Sequence, residues 1–185
     1  MSITDDLKNA LSAVVSGVGD VVSTTENVTK DTIVKTLQAG GEVAATGVAV
    51  VGSLVSEGVR AASSTGASTA QAVTGLVTGS IKGVKVVGGD VGATATEAAK
   101  GAVKGAQDVG GDVGEAAVSA VEGAISAARN IGEDSGELAK DAALGAISAA
   151  DELGSEAAGV VRKALLNAAA LPHDIIDALL TGKTE

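Results

Sequence analysis

The sequence predicts an all-α protein, on three observations: a 22-residue internal period, an apolar stripe at helical spacing along it, and a near absence of large side chains. The period appears when four consecutive blocks are aligned: GSIKGVKVVGGDVGATATEAAK from Gly79, GAVKGAQDVGGDVGEAAVSAVE from Gly101, GAISAARNIGEDSGELAKDAAL from Gly123 and GAISAADELGSEAAGVVRKALL from Gly145. Weaker copies begin at Glu57 and Lys35. The chain therefore divides into an N-terminal lead-in (1–34), the repeats (35–166) and a short C-terminal helix with a tail (167–185).

The register is strict. Val15, Leu37, Val59, Ile81, Val103, Ile125, Ile147 and Ala169 lie 22 residues apart and are all apolar. A second column is Gly66, Gly88, Gly110, Gly132 and Gly154, and a third is polar or acidic: Thr46, Ser68, Asp90, Asp112, Asp134 and Glu156. No insertion is expected across these copies. A period of two elevens is a whole number of helical turns, so each column keeps its place on a helix wheel. On that wheel Val103, Val109, Gly110, Val113, Ala117, Ala120 and Val121 fall on one side, and Lys104, Asp108, Asp112, Glu115, Ser119 and Glu122 on the other. The apolar side spans roughly half the circumference, wider than a coiled-coil seam. The column Val15, Leu37, Val59, Ile81, Val103, Ile125 and Ile147 is accordingly expected to be the association face.

Glycine sets the terms of that association. Each interior glycine costs roughly 1 kcal/mol of helix stability relative to alanine, and the block Gly101–Glu122 holds five. Such a helix needs a covered face, through close helix contact or an apolar surface. The spacings Gly75/Gly79/Gly83, Gly88/Gly92, Gly101/Gly105, Gly110/Gly114 and Gly132/Gly136 would let backbones approach closely. Gly75, Gly79, Gly83, Gly88, Gly92, Gly110 and Gly114 are therefore expected as close-packing positions. The triplets at 88–90, 110–112, 132–134 and 154–156 admit a rival reading, a glycine C-cap followed by an acidic N-cap, giving hairpins of short helices. Wheel continuity favours a kinked continuation. At the ends, Thr4-Asp5-Asp6 reads as a helix start, and Pro172 followed by His173-Asp174-Ile175-Ile176-Asp177 reads as a break and a short amphipathic helix.

Composition excludes several functions. A net charge of −10 without Phe, Tyr or Trp leaves neither a phosphate-binding face nor base-stacking groups, so no nucleic-acid partner is expected. With no cysteine and a single histidine, His173, a metal site or an activated nucleophile lacks its parts. Gly182-Lys183-Thr184 imitates the end of a phosphate-binding loop, but Asp177 stands where that loop needs glycine. No enzyme, cofactor or metal is expected. The start MSITDDLK lacks a secretory signal, which implies a cytoplasmic protein, peripheral to a membrane at most. Residues 61–81 carry no formal charge but too many Ser and Thr to span a bilayer. Charge is uneven: residues 1–92 hold 8 acids and 6 bases, and residues 93–185 hold 15 acids and 7 bases. The N-terminal half is thus expected to carry the apolar partner, and the acidic C-terminal half to be the solvated end.

Over residues 35–166 the pattern resembles the amphipathic 11- or 22-residue-repeat proteins: late-embryogenesis-abundant (LEA) proteins, perilipins, synucleins and apolipoproteins. It also resembles the Gly/Ala-rich scaffold subunits of some quinone-reducing hydrogenase complexes. The mean hydropathy of +0.36 departs from the hydrophilic LEA pattern. What these resemblances imply is a self-associating helical scaffold, a homo-oligomer, whose broad apolar face contacts a membrane or lipidic molecules, including a quinone-type conduit. The alternatives they imply are a monomeric coat of membranes, lipid droplets or storage granules, and a stress-protection protein.

Overall fold

The computed structural model describes Asp5 and residues 8–10, 12–13, 20–40 and 46–168. From residue 20 onward these form seven helices: α1 (Val21–Gly40), α2 (Thr46–Thr65), α3 (Thr69–Val86), α4 (Val91–Asp108), α5 (Val113–Ile131), α6 (Ser135–Leu153) and α7 (Ser155–Asn167). Among the described residues there is no strand.

The boundaries follow from local chemistry. Ser68, Asp90, Asp112 and Asp134 stand at extended backbone angles, and each side chain accepts a hydrogen bond from the amide three residues on. These bonds satisfy amides that the first helical turn leaves open. The helices end at glycines in the left-handed region, Gly66, Gly88, Gly110 and Gly132, with φ between 69° and 77°. Just beyond each, an amide reaches back to a last-turn carbonyl: Ala67 to Ala62, Gly89 to Val84, Gly111 to Ala106 and Glu133 to Ala128. This is the Schellman arrangement, and a side chain at those glycines would be strained. The triplets are therefore turns between separate helices, and the expected kinked continuation is corrected. Gly88 and Gly110 are turn glycines with no neighbour a Cβ would touch, so they are not close-packing positions.

The expected unbroken register also needs correcting upstream. Caps Ser68, Asp90, Asp112 and Asp134 are spaced by 22 residues. Asp20, which caps α1 by accepting from the Ser23 amide at 3.0 Å, precedes Ser68 by 48, four more than two periods. Ile33 rather than Leu37 thus occupies in α1 the place that Ile81 has in α3, although both are buried.

Two layers result. Helices α1, α3, α5 and α7 pack side by side in one, and α2, α4 and α6 in the other. From α2 onward each helix also touches the next one in sequence, across the layers. Within a layer neighbours run parallel, because contacts advance together along both: Gly75, Gly79 and Gly83 of α3 meet Val22, Glu26 and Ile33 of α1. Each inner helix is enclosed on three sides, which explains an apolar stripe wider than a coiled-coil seam. Ser119, expected on the polar face, is 5% exposed for this reason. The interior is almost wholly Ala, Val, Leu and Ile. Val51, Val55, Val59, Val73, Leu76 and Val77 of the weakly charged N-terminal half are all buried within the stack, so that half carries no bare apolar face there.

The glycine column Gly79, Gly101, Gly123 and Gly145 lies where helices of one layer touch. Each presses its Cα on a carbonyl of the preceding helix in its layer, those of Glu26, Gly52, Thr74 and Thr96. A Cβ at Gly123 would stand 2.8 Å from the Thr74 oxygen, inside contact distance. Beside these contacts, threonine hydroxyls bridge helices. Thr78 Oγ1 lies 2.8 Å from the Thr74 carbonyl and 3.0 Å from that of Gly123. Thr96 Oγ1 is 3.2 Å from both the Gly92 and the Asp141 carbonyls. Backbone proximity thus supplies the contact area that large side chains supply elsewhere.

Candidate functional surfaces

Three surfaces remain once the core is filled. The first is a groove of about 560 Å³ crossing α2, α4 and α6, with Gly52 and Gly101 in its lining. Ion pairs between successive helices of the layer bridge it: Arg60 with Asp108, and Lys104 with Glu152 at 2.7 Å. The other layer repeats the motif, with Lys85 pairing Glu133 at 2.6 Å. All three pairs are separated by 48 residues, two periods plus about one helical turn. The Asp108 carboxylate raises the Arg60 pKa, and a hydrogen bond from Lys104 lowers that of Glu152. The cations of this groove, Arg60, Lys100 and Lys104, face the acids Glu57, Glu97, Asp108 and Glu152. Its charges largely neutralise one another and gather no strong field.

The second surface is an acidic hollow of about 520 Å³ between the N-terminal ends of α4 and α6, containing Asp90, Glu133, Asp134, Glu137 and Asp141. Asp90 and Asp134 are already engaged as caps. Burial pushes the Asp141 carboxyl pKa up, and the charges of Glu137 and Asp90 add to the effect. Among the described residues no three side chains are grouped to hold a metal ion.

The third is the C-terminal end of the stack. Val59, Ile81 and Val103 are wholly buried, Ile125 is 9% exposed, and Ile147 is only half-buried. Leu144, one turn before Ile147 on α6, is half-buried as well. The cause lies in α7, which has 13 residues against 18 to 20 in the others. Gly114 of α5 meets Val160 and Ala164 of α7, so α7 covers only the first part of α5. Beyond it a groove of about 360 Å³ runs along Glu122, Ile125, Ser126, Arg129 and Asn130. The opposite end is different. Counting back 48 residues from Gly75, Gly79 and Gly83 gives Asn27, Asp31 and Lys35 of α1, all exposed and polar.

The sequence-derived positions are distributed as follows. Leu37, Val59, Ile81, Val103 and Ile125 face the chain's own interior, Ile147 its edge, and Val15 lies outside the described residues. Gly75, Gly79, Gly83, Gly92 and Gly114 do meet neighbouring helices. The glycines at Gly52, Gly101, Gly105, Gly123 and Gly145 do the same and were not singled out, although Gly101, Gly123 and Gly145 head the aligned blocks. The ion-pair spacing was also missed. Its signal was present in the sequence as opposite charges 48 residues apart. Pro172, His173, Asp177 and Gly182-Lys183-Thr184 lie outside the described residues.

Short helices in two parallel layers, each touching the next and the next but one, define a helical stack of the α-solenoid class. No protein-family model, no curated protein and no solved structure matches the chain. No helix among the described residues is long and apolar enough to cross a membrane.

Proposed function

We propose that the chain is a non-enzymatic helical scaffold built on a 22-residue unit, which associates with further copies of itself through the C-terminal end of its stack. The observation that carries this reading is the loss of cover along one column, from Val59, Ile81 and Val103 at 0% exposure to a half-exposed Ile147. Elsewhere among the described residues the large apolar side chains at the surface are few: Val86, Leu153 and Val160. Apolar surface left at one end of a stack favours pairing there over lying on a lipid surface, which would need an apolar face along the whole length. A repeat array also needs polar outer faces where it is to stop. The exposed Asn27, Asp31 and Lys35 of α1 fit such a terminus, whereas Leu144 and Ile147 do not.

The test is the mass of the full chain in lipid-free buffer, by light scattering over a range of concentrations. A multiple of 17.6 kDa is expected. Ile147→Asp should return the protein to the single-chain mass with its circular dichroism unchanged. A single-chain mass at every concentration, with flotation on added phosphatidylcholine vesicles, would refute self-association and support the membrane-coat reading instead.

A further inference from the structure

The strip left open on α5 is self-complementary. Its exposed charges are Glu122 and Arg129, seven residues apart on one helix face, with Ile125 and Ser126 between them. The midpoint of 122 and 129 is also the midpoint of 125 and 126. A second α5 laid antiparallel across this strip, about a two-fold axis at that midpoint, brings Glu122 against the second copy's Arg129 and the reverse. The same operation sets Ile125 against the second copy's Ser126. A two-fold interface requires this reciprocity, in which residue i meets j and j meets i.

We infer that the groove on α5 is the centre of a two-fold contact with a second copy of this chain, held by reciprocal Glu122–Arg129 pairs around an Ile125–Ser126 centre. The inference deepens the self-association reading and rests on it. Three observations support the choice of occupant. The chain already joins parallel helices within each layer by cross-helix ion pairs, and Arg60–Asp108, Lys85–Glu133 and Lys104–Glu152 show the side-chain reach involved. The strip is flanked by the half-buried Leu144 and Ile147 of α6, so a copy centred on α5 also gains apolar cover at its margin. Finally, a net charge of −10 makes two copies repel at a distance, so an interface that places each Arg129 on an acid selects one register from many.

Charge reversal tests the geometry. In the full chain, Arg129→Glu sets acid against acid at both ends of the strip, and Glu122→Arg sets base against base. Each single variant should weaken self-association by roughly tenfold or more in sedimentation velocity. An equimolar mixture of the two should recover it as a heterodimer, because one copy then presents only bases and the other only acids. The double variant Glu122→Arg/Arg129→Glu should recover it alone. Circular dichroism of each variant checks that the stack is intact. If the wild type associates but the single variants associate equally well, or their mixture fails to recover, this interface is wrong and self-association stands. A wild type that is monomeric at all concentrations removes both.

Discussion

Thr78 donates into a neighbouring helix, and Thr29, buried in the same layer, does not. The Thr78 hydroxyl reaches the carbonyls of Thr74 and Gly123, whereas the Oγ1 atoms of Thr25 and Thr29 are buried without a partner. Counted by the 48-residue offset between α1 and α3, Thr25 and Thr29 correspond to Val73 and Val77, both wholly buried. A buried hydroxyl without a partner is costly, and an apolar isostere removes that cost. Thr29→Val should therefore raise stability by about 1 kcal/mol, and Thr78→Val should lower it by about as much. Urea unfolding of the two variants would check this, and equal shifts would contradict the assignment. Of the residue-scale facts, the apolar column was legible in the sequence because its spacing is regular. The division of labour among glycines was not. Gly88 and Gly92 lie four residues apart and read as a close-packing pair, yet Gly88 makes a turn at φ 77° and Gly92 meets Asp141 across the helix interface.

At the scale of elements, the 22-residue period concealed the breaks. Six turns of helix return a column to the same angle whether the helix continues or stops and restarts, so a wheel cannot separate the two. What separates them is chemistry at the boundary. Asp112 accepts from the Glu115 amide at 3.0 Å, and a left-handed Gly110 closes the helix before it. The same boundaries place one carboxylate at a disadvantage. Asp141 on α6 is pressed toward the start of α4, and burial with the charges of Glu137 and Asp90 raises its pKa. A carboxyl that binds its proton more tightly when folded destabilises the fold while ionised. That penalty is present above the folded pKa, and it is relieved as pH falls through that value toward the ordinary 3.8. Asp141→Asn should thus raise the melting temperature at neutral pH, and its advantage should shrink as the solution is acidified. A constant advantage at all pH values would argue that packing, not charge, is responsible.

For the whole molecule, the class of fold was legible and its arrangement was not. All-helical character follows from local pattern. Which helix lies beside which depends on contacts about two periods away, and those are read from glycines such as Gly145 on Thr96 and from the ion pairs. The uneven charge suggested a polarity between the halves, but the helices between Lys35 and Lys82 use their apolar residues inside the stack. Such an architecture makes a removable segment predictable. Deleting residues 91–134 excises α4 and α5, joins cap Asp90 to Ser135, and keeps α6 in the layer of α2. Arg60 would then stand 48 positions from Glu152, the spacing it has to Asp108. The shortened chain should retain its ellipticity per residue and unfold cooperatively at a lower midpoint. Deleting 91–123 instead would join Asp90 to the middle of α5 and should abolish folding. An unfolded product from the first deletion would show that the units are not interchangeable.

The turn between helices also governs reach. Because a capped helix and a glycine turn together occupy a fixed number of residues, the stack can grow only in whole steps. Two units lengthen each layer by one helix, about 8 Å at the close end of helix spacing. A protein assembled this way measures distance in discrete increments, as a ruled edge does. The space it can span between two attached objects is therefore written in its gene as a number of copies, and changing that span requires no new contact to be invented.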